Sequence, residues 1–519
     1  MKRHIDMKPE KIDQVQNSMG RMMFVALAVI FQVAWIVFLG LELQKYSVWI
    51  SLTISTIALL IVLRIYGRHT NAAFKMPWII LILVFPVFGL VLYVIVRKSG
   101  IKKHMRDKFR VIDSELRPKL KQDNAVFQEL VNEDLGIANQ AYYIWNSGHF
   151  PVYSNTDVEF YAQTDAGLDA QVEAMKTAEH FIFMEYHAIE DSISFHKMLD
   201  VMKEKVKQGV EVRIAYDDVG SMSFINNDFI KRMEEAGIKC RVFNPMVPIV
   251  SVFMNNRDHR KITVIDNKIG FTGGYNLADK YFNLTHPYGH WKDTGIRLEG
   301  DAVRSLTLTF LEMWNVIEKE DVKYDLFLPH YNYQASDHSY VQPYADSPLD
   351  EEYLGENVYL NVIKNAKRYI YFGTPYLIIS DEMTRELGLA AKRGIDVRIV
   401  TPGIPDKKMV YQVTRSHYAA LAAQGVRIYE YTPGFLHEKQ CVSDDDTATV
   451  GTINMDWRSL YLHFENGVIM HNCSCIADIK KDFEDTFEKS YEVTEDYKKS
   501  RPLPIRIVQC LLRLLAPIM

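Results

Sequence analysis

Two copies of one polar pattern are the residues of this chain best suited to chemistry. Each copy has a lysine two residues after a histidine and an aspartate seven residues after it. The copies are His259, Lys261 and Asp266, and His437, Lys439 and Asp444. The expected number of chance occurrences of two such copies is on the order of 0.001. A pair of ordinary core histidines therefore does not account for the repeated pattern. On an extended strand, each histidine shares a face with its lysine, and the aspartate faces away. We therefore expect the two aspartates to make structural hydrogen bonds.

A glycine-containing segment follows each copy and ends in an asparagine, Asn276 or Asn454. Imidazoles, ammonium groups and carboxamides together supply what exchange at a phosphodiester requires. These requirements are a nucleophile, a proton donor for the leaving alkoxide and donors to the phosphate oxygens. One neutral imidazole would attack phosphorus, while the other would protonate the leaving oxygen and then serve as the base for the incoming hydroxyl. The similarity of the two copies leaves open which histidine is the nucleophile.

The elements around these motifs repeat along the chain. Three pairs of segments match in the same order: 176–183 with 364–371, 209–214 with 394–399, and 237–245 with 425–433. Short β-branched or aromatic runs alternate with helical patterns, such as the apolar spacing from Phe195 to Val206 ahead of Gly209. This order predicts an α/β body of two pseudo-twofold halves, 126–335 and 336–495, with mainly parallel sheets flanked by helices.

The first hundred residues contain three uncharged apolar runs, which predict an N-terminal membrane region over 1–98. The runs are Met22–Leu41, Ser47–Leu63 and Met76–Val96. Each is long enough to cross a bilayer core, which takes about 17 to 25 residues. A buried pair of soluble helices is the alternative. Lysine and arginine in the leader and in the second connection place both on the cytoplasmic side.

The third run has basic residues on both flanks, and Pro86 and Gly89 lie in its middle. Proline interrupts the hydrogen bonding of a helix. We therefore expect a re-entrant or interfacial hairpin that leaves the chain beyond Arg97 in the cytoplasm, with an ordinary third span as the alternative. A basic connector follows over 99–125. The tail, 496–519, has Arg506 and Arg513 among apolar residues, which predicts an interfacial amphipathic helix or, alternatively, a helix packed on the core.

Composition excludes several classes of protein. The chain has 519 residues, and its net charge of -5 argues against a nucleic-acid binder that relies on bulk positive charge. Five cysteines are too few for an extracellular disulfide framework, and their spacing is not that of a zinc site. Asp444, Asp445 and Asp446 could form a magnesium site, but a solvated turn is the favoured interpretation. No metal or cofactor is expected.

The two motifs resemble the signature of the phospholipase D superfamily, in which His-x-Lys is followed five residues after the lysine by aspartate, twice per chain. Further segments are similar to bacterial cardiolipin synthases, as is the apolar leader. They are Phe271–Asn276, Trp291–Asp293, Thr374–Tyr376 and Gly451–Ser459. The resemblance covers nearly the whole chain. One departure is that the superfamily prefers serine after the motif glycine, where this chain has Gly274 and Thr452.

The resemblance implies a membrane-anchored phosphatidyltransferase of the bacterial cytoplasmic membrane. It would make cardiolipin and glycerol from two molecules of phosphatidylglycerol through a phosphatidyl-histidine intermediate. It favours His259 as the nucleophile and His437 as the acid and base, with Asp293 and Glu465 orienting the imidazoles. The alternatives are a phospholipase D hydrolase that releases phosphatidic acid and a non-catalytic membrane scaffold. Two intact motifs argue against the scaffold.

Overall fold

The computed structural model describes residues 48–68, 70–97, 100–245, 256–321, 323–350, 352–499 and 502–516, together with Ala34 and Phe38. These residues divide into two compact units. The first unit contains the described residues up to Arg106 and those from Pro502 onward. The second contains those within 107–245 and 256–501, and therefore both copies of the motif.

The apolar runs of the first unit are helical where they are described. The helices are α1 (Val48–Tyr66), α2 (Ala72–Val84) and α3 (Pro86–Arg97). Apart from Ala34 and Phe38, the run Met22–Leu41 lies outside the described residues. Within the described ranges, no helix is both long enough and apolar enough to cross a membrane. The predicted spans therefore stay predictions.

The third apolar run is divided into two helices that contact one another. α2 ends before Phe85, and Pro86 opens α3, where the fixed φ of proline suits the first turn. A Cβ at Gly89 would lie only 2.7 Å from the Cα of Ile82, so glycine permits this close approach. The helices share a small core with α1, made of Ala58, Val62, Ile65, Ile82 and Tyr93. The break thus falls at the proline that the sequence placed in the middle of the run.

Three further α-helices lie between α3 and β1 in the described chain: α4 (Gly100–Leu116), α5 (Asn124–Glu133) and α6 (Leu135–Tyr143). Side-chain oxygens of Asp123 and Asp134 cap the N-termini of α5 and α6. The apolar faces of α5 and α6 pack with Val152 and Tyr340. Although the sequence assigned these helices to the first half, they also pack against the first strand of the second half.

The first half forms a seven-stranded sheet. Its strands are β1 (Thr156–Tyr161), β2 (Phe181–Tyr186), β3 (Glu211–Asp217), β4 (Lys239–Phe243), β5 (Lys261–Ile265), β6 (Ile269–Gly273) and, after β7 (His290–Lys292), β8 (Gly295–Gly300). The spatial order is β1-β8-β6-β5-β2-β3-β4. The helices of this half are α7 (Thr164–Lys176), α8 (Ile193–Lys207), α9 (Asp218–Ser221), α10 (Phe229–Glu235) and α11 (Val303–Ile317).

The second half forms an eight-stranded sheet with the order β17-β12-β11-β10-β14-β15-β16-β9. Its strands are β9 (Tyr340–Asp346), β10 (Tyr369–Gly373), β11 (Asp396–Pro402), β12 (Arg427–Tyr431), β14 (Gln440–Ser443), β15 (Thr447–Gly451), β16 (Glu465–His471) and β17 (Ser490–Glu492), with β13 (Gly434–Leu436) outside the sheet. The helices are α12 (Leu354–Asn365), α13 (Asp381–Lys392), α14 (Lys408–Ala422), α15 (Trp457–Tyr461), α16 (Ile476–Glu488) and α17 (Thr494–Lys498). A final helix, α18 (Leu503–Leu515), belongs to the first unit.

The two sheets have the same strand order, which confirms the predicted duplication. β5 and β6 in the first sheet occupy the places of β14 and β15 in the second, and β17 is an added edge strand. The prediction of mainly parallel sheets is wrong. Among the described strands of the two large sheets, only β2-β3-β4 and β10-β11-β12 run parallel, and the remaining neighbours are antiparallel. A parallel pair needs a helical crossover, whereas each motif strand turns directly into the next strand through a hairpin.

Candidate active site

The two motif histidines lie at corresponding places, just before β5 and close to β14. The backbone N–H of His259 donates to the carbonyl oxygen of Phe464 at 2.8 Å, and that of His437 donates to the carbonyl oxygen of Lys292 at 2.7 Å. Each histidine is therefore held by the half to which it does not belong. The parallel pair β7–β13 also joins the halves, next to His437.

The imidazole ring of each motif histidine also pairs with a residue of the opposite half. His259 Nδ1 lies 2.9 Å from a carboxylate oxygen of Glu465, and His437 Nδ1 lies 2.6 Å from one of Asp293. A ring N–H that donates to a carboxylate fixes the tautomer and leaves the lone pair on Nε2. The two predicted carboxylates, Glu465 and Asp293, therefore lie beside the histidines. Each one hydrogen-bonds the histidine of the opposite half.

The motif lysines are buried beside the histidines. Lys261 Nζ donates to the carbonyl oxygen of His259 at 2.5 Å, and Lys439 Nζ donates to that of His437. Burial lowers the pKa of Lys261 to about 7 and that of Lys439 to about 8, although Glu465 and Asp293 act in the opposite direction on both. Because the charge of Lys439 also lowers the pKa of Lys261, the cations of the two halves belong to one cluster.

The protonation states of the site follow from burial. Burial lowers the pKa of His259 and of His437 to about 3, so both imidazoles are neutral near pH 7. Burial acts to raise the pKa of Glu465, but His259 outweighs it and the net pKa is lowered. Lys439 and His437 likewise outweigh burial at Asp293 and lower its pKa. Two ionised carboxylates therefore orient two neutral imidazoles.

Binding of a dianion is expected to be coupled to proton uptake. At pH 8 the pKa values of about 7 for Lys261 and about 8 for Lys439 leave a large fraction of both groups neutral. A bound anion favours the charged forms, so sulfate should draw protons onto the lysines and bind more weakly as the pH rises above 7. Calorimetry in two buffers of different ionisation enthalpy measures this uptake. The same binding heat in both buffers would contradict it, and the variant Lys261→Met/Lys439→Met is the control.

The motif aspartates accept hydrogen bonds that hold the backbone in place, as their position relative to the strand predicted. Asp266 accepts three backbone N–H groups, from Glu179, His180 and Phe181, at 2.7 to 2.9 Å. Asp444 accepts the corresponding three, from residues 367, 368 and 369. Both aspartates open left-handed hairpin turns, with φ of 54° and 57°. They tie the turn after each motif strand to the start of the neighbouring strand.

Replacement of Asp266 by asparagine is expected to destabilise the protein more than it impairs chemistry. Asparagine keeps only one acceptor for three amides, so the loss of charged hydrogen bonds should cost about 2 to 4 kcal/mol of unfolding free energy. Urea denaturation measures this cost, and the exposed Asp169, which pairs with Lys197, supplies the control Asp169→Asn. A folded variant that is as stable as the parent but inactive would instead assign Asp266 a direct part in the reaction.

The two asparagines are buried but differ in their contacts. Asn276 Oδ1 accepts the N–H of Ala188, and its Nδ2 donates to the hydroxyl of Tyr281, whose ring lies 5.3 Å from that of His437. Asn454 Nδ2 donates to Asp456 at 3.2 Å, and its Oδ1 has no hydrogen bond from the described protein. Phosphate binding by these side chains stays a prediction.

The contacts of Gly274 and Thr452 explain why this chain lacks the serine that the superfamily prefers after the motif glycine. Thr452 Oγ1 donates to the Glu465 oxygen that faces His259, at 2.5 Å. In the first half a Cβ at Gly274 would lie 1.9 Å from an Asp293 oxygen, so no side chain fits there. The hydroxyl therefore supports the orienting carboxylate of only one histidine.

The surroundings of the two histidines break the pseudosymmetry, and sequence reasoning did not anticipate this. His187 and His463 flank His259, with ring centroids 4.9 and 5.5 Å away. The neighbours of His437 are aromatic: Tyr281, Trp291 and Phe435 lie 5.2 to 5.8 Å away. His463 and Trp291 are counterparts, because each stands two residues before the orienting carboxylate of its half. That spacing is the sequence signal that could have identified them.

Comparison with known proteins assigns the chain to a family. A family described as "Cardiolipin synthase, PLD-like domain" matches residues 172–314 and 359–489, once in each half and over more than half of the chain. The chain belongs to this cardiolipin synthase family of phospholipase D-like proteins. Membership in the cardiolipin synthase family confirms the resemblance carried by the two motifs. A second family, described as "Phospholipase_D-nuclease N-terminal", matches residues 53–98, within the apolar region.

The relatives within this family align with the chain along most of its length. Cardiolipin synthase 2 of Bacillus cereus is 33% identical over 480 residues, which cover 90% of this chain and 90% of that protein. An uncharacterized protein of Streptococcus mutans is 40% identical over 88% of this chain and 99% of its own length. The crystal structure of phosphatidylserine synthase of Haemophilus influenzae has a TM-score of 0.54 and 15% identity, and covers 73% of this chain and 98% of that one. This structural likeness supports the fold.

Proposed function

We propose that this protein is a cardiolipin synthase that transfers a phosphatidyl group between two molecules of phosphatidylglycerol and releases glycerol. The observation that carries the proposal is the pair of buried histidines, each oriented by a carboxylate of the opposite half within one cluster that also holds Lys261 and Lys439. Family membership supplies the phosphatidyl chemistry.

The first step forms the covalent intermediate. His259 Nε2 attacks phosphorus with its lone pair, and the bond from phosphorus to the glycerol oxygen breaks. The leaving alkoxide takes a proton from His437, whose imidazole takes up this proton from the solvent when the anionic phosphodiester enters the site and raises its pKa. Glu465 stabilises the positive charge that develops on His259, and Lys261 and Lys439 stabilise the phosphate oxygens.

The second step reverses the proton transfer. The glycerol hydroxyl of a second phosphatidylglycerol gives its proton to the now neutral His437 and attacks phosphorus. The bond from phosphorus to His259 Nε2 breaks, and the imidazole returns to its neutral form. Two phosphatidylglycerols thus yield one cardiolipin and one glycerol, and the enzyme ends in its starting state. Water in place of the lipid hydroxyl would give phosphatidic acid.

The apolar segments of the chain support a membrane location. The N-terminal runs anchor the chain in the bacterial cytoplasmic membrane, and the catalytic body faces the cytoplasm. α18 adds an interfacial contact, since it combines exposed apolar side chains with Arg506 and Arg513. Those that are at least 46% exposed are Leu503, Ile505, Ile507, Val508 and Leu511. A lipid substrate then reaches the site from the membrane surface, where the acceptor is a lipid hydroxyl rather than bulk water.

The proposed function is tested with purified full-length protein and phosphatidylglycerol vesicles in the presence of EDTA. Separation of the products should show cardiolipin and glycerol in equal amounts. Phosphatidic acid would assign a hydrolase instead, and unchanged lipid would refute catalysis on this substrate. The variant His259→Ala/His437→Ala, purified and reconstituted in the same way, is the control for spontaneous or contaminating turnover.

A further inference from the structure

One buried cluster adds to His259 and Glu465 a second histidine, His463, that the proposed reaction does not use. The ligand-type atoms of His259, His463 and Glu465 all lie within 4.8 Å of one another. His463 Nδ1 is 3.6 Å from Glu465 Oε1. Neither ring nitrogen of His463 accepts or donates a hydrogen bond within the described protein, and Glu465 Oε1 is also without one. The side chain of His463 is 10% exposed and that of Glu465 is fully buried.

Two imidazole nitrogens and one carboxylate oxygen are a ligand set that suits Zn²⁺ and similar divalent transition metals. Zinc bonds of about 2.0 to 2.2 Å in tetrahedral geometry place neighbouring ligand atoms about 3.4 Å apart. The separation of 3.6 Å between His463 and Glu465 is close to this value. Buried polar atoms without partners carry a desolvation cost, which a bound cation would remove.

We propose that His259, His463 and Glu465 form a binding site for a divalent transition metal such as Zn²⁺, and that the bound ion inhibits the enzyme. The inhibition rests on the proposed function, whereas the binding does not. The site exists on one side of the cluster only. At His437 the counterpart of His463 is Trp291, whose side chain offers no lone pair to a metal.

The inhibition follows from the tautomer of His259. In the metal-free site Nδ1 carries the proton that it donates to Glu465, and Nε2 keeps the lone pair that attacks phosphorus. A metal bound to Nδ1 takes the lone pair of that nitrogen, so the single proton of the neutral ring moves to Nε2. An Nε2–H group cannot attack phosphorus. The ion therefore removes the nucleophile without changing the covalent structure of the protein.

Binding is measured first, without reference to turnover. Full-length protein in detergent is equilibrated with Co²⁺, and the visible absorption of a four-coordinate ion is followed together with equilibrium dialysis of Zn²⁺. We expect one ion per chain and a loss of about 10-fold or more in affinity in His463→Asn and in His463→Trp, which copies the residue of the other half. The control is His338→Asn, because His338 belongs to an exposed cluster with Glu129 and Glu133 that could also attract a cation.

Three results would overturn the proposal: no stoichiometric binding, unchanged affinity in a folded His463 variant, or loss of binding in His338→Asn instead. X-ray absorption at the zinc edge of the wild-type protein decides the question even if the variants fail to fold. It should show nitrogen and oxygen ligands at about 2.0 to 2.2 Å with imidazole scattering, whereas a sulfur shell at about 2.3 Å would place the ion on cysteine.

Measurements of turnover with and without Zn²⁺ then test the inhibition. Zn²⁺ should abolish turnover of the wild-type protein on phosphatidylglycerol vesicles, and EDTA should restore it. For His463→Asn, the rate with Zn²⁺ is compared with the rate of the same variant without metal, and the inhibiting concentration should rise about 10-fold or more, in line with its weaker binding. Metal binding without inhibition would refute the inhibitory role, but the proposed metal site would stand. Absence of turnover in the metal-free protein would count against the proposed function, while the binding measurements still decide the metal site.

Discussion

Replacement of His437 by alanine is expected to abolish turnover of phosphatidylglycerol but to leave the first chemical step intact for a donor that needs no acid. The loss of a general acid should cost about 10²- to 10⁴-fold with the natural donor, because the glycerol alkoxide leaves poorly without a proton. A phosphatidyl donor with a 4-nitrophenyl leaving group departs as a stable anion. His437→Ala should therefore release nitrophenolate in a single burst and stop, since the base for the second step is also missing.

The matched variant His259→Ala should show no burst with either donor, because it lacks the nucleophile. Mass spectrometry of the His437→Ala protein after the burst should find the phosphatidyl group on the peptide that contains His259. Circular dichroism establishes that both variants fold. A burst in His259→Ala and none in His437→Ala would exchange the two roles, and steady turnover of phosphatidylglycerol by either variant would exclude the covalent relay.

Replacement of the orienting carboxylates is expected to reveal the crossed pairing. Asp293→Asn removes the charged partner of His437, and Glu465→Gln removes that of His259. Loss of such a partner leaves the imidazole in the wrong tautomer, which costs about 10⁴-fold in a serine protease triad, so large losses on phosphatidylglycerol are expected for both variants. With the nitrophenyl donor, the burst of Asp293→Asn should approach the wild-type rate, and that of Glu465→Gln should stay slow.

The two variants are each other's control, because both replace a buried carboxylate by its amide. If each carboxylate served the histidine of its own half, Asp293→Asn would be the slow variant and Glu465→Gln the fast one. The Nδ1–H resonances in proton NMR give a second measurement. Asp293→Asn should shift the resonance of His437, and Glu465→Gln that of His259.

Much of the fold and part of the site could be predicted from local patterns. The repeat of matched segments indicated two similar halves, and the two sheets have the same strand order. Alternation along a strand placed Asp266 away from the histidine, and the structure gives it three backbone partners. Pro86 indicated a break in the third apolar run, where α2 gives way to α3. The duplication and the backbone partners of Asp266 could be anticipated because each depends on residues that are close in the chain, whereas the re-entrant or interfacial hairpin expected at Pro86 stays a prediction.

The prediction of mainly parallel sheets failed because it counted strands and helices but not the short turns. β5 and β6 are joined by a hairpin through Asp266 and Asn267, both with positive φ, and a connection this short forces antiparallel pairing. The same arrangement at Asp444 and Asp445 joins β14 and β15. The turn residues were visible in the sequence, but their conformation was not.

The sequence by itself determined which chemistry this protein carries, because a histidine and a lysine two residues apart on a strand share one face, while the aspartate seven residues after the histidine faces away. Only the tertiary structure decided which groups act together. Glu465 is 206 residues from His259, and Asp293 is 144 residues from His437. The same folding placed His463 beside one histidine and Trp291 beside the other. Such pairings are set by the packing of one half against the other, and no pattern within a strand or helix encodes a contact over that distance.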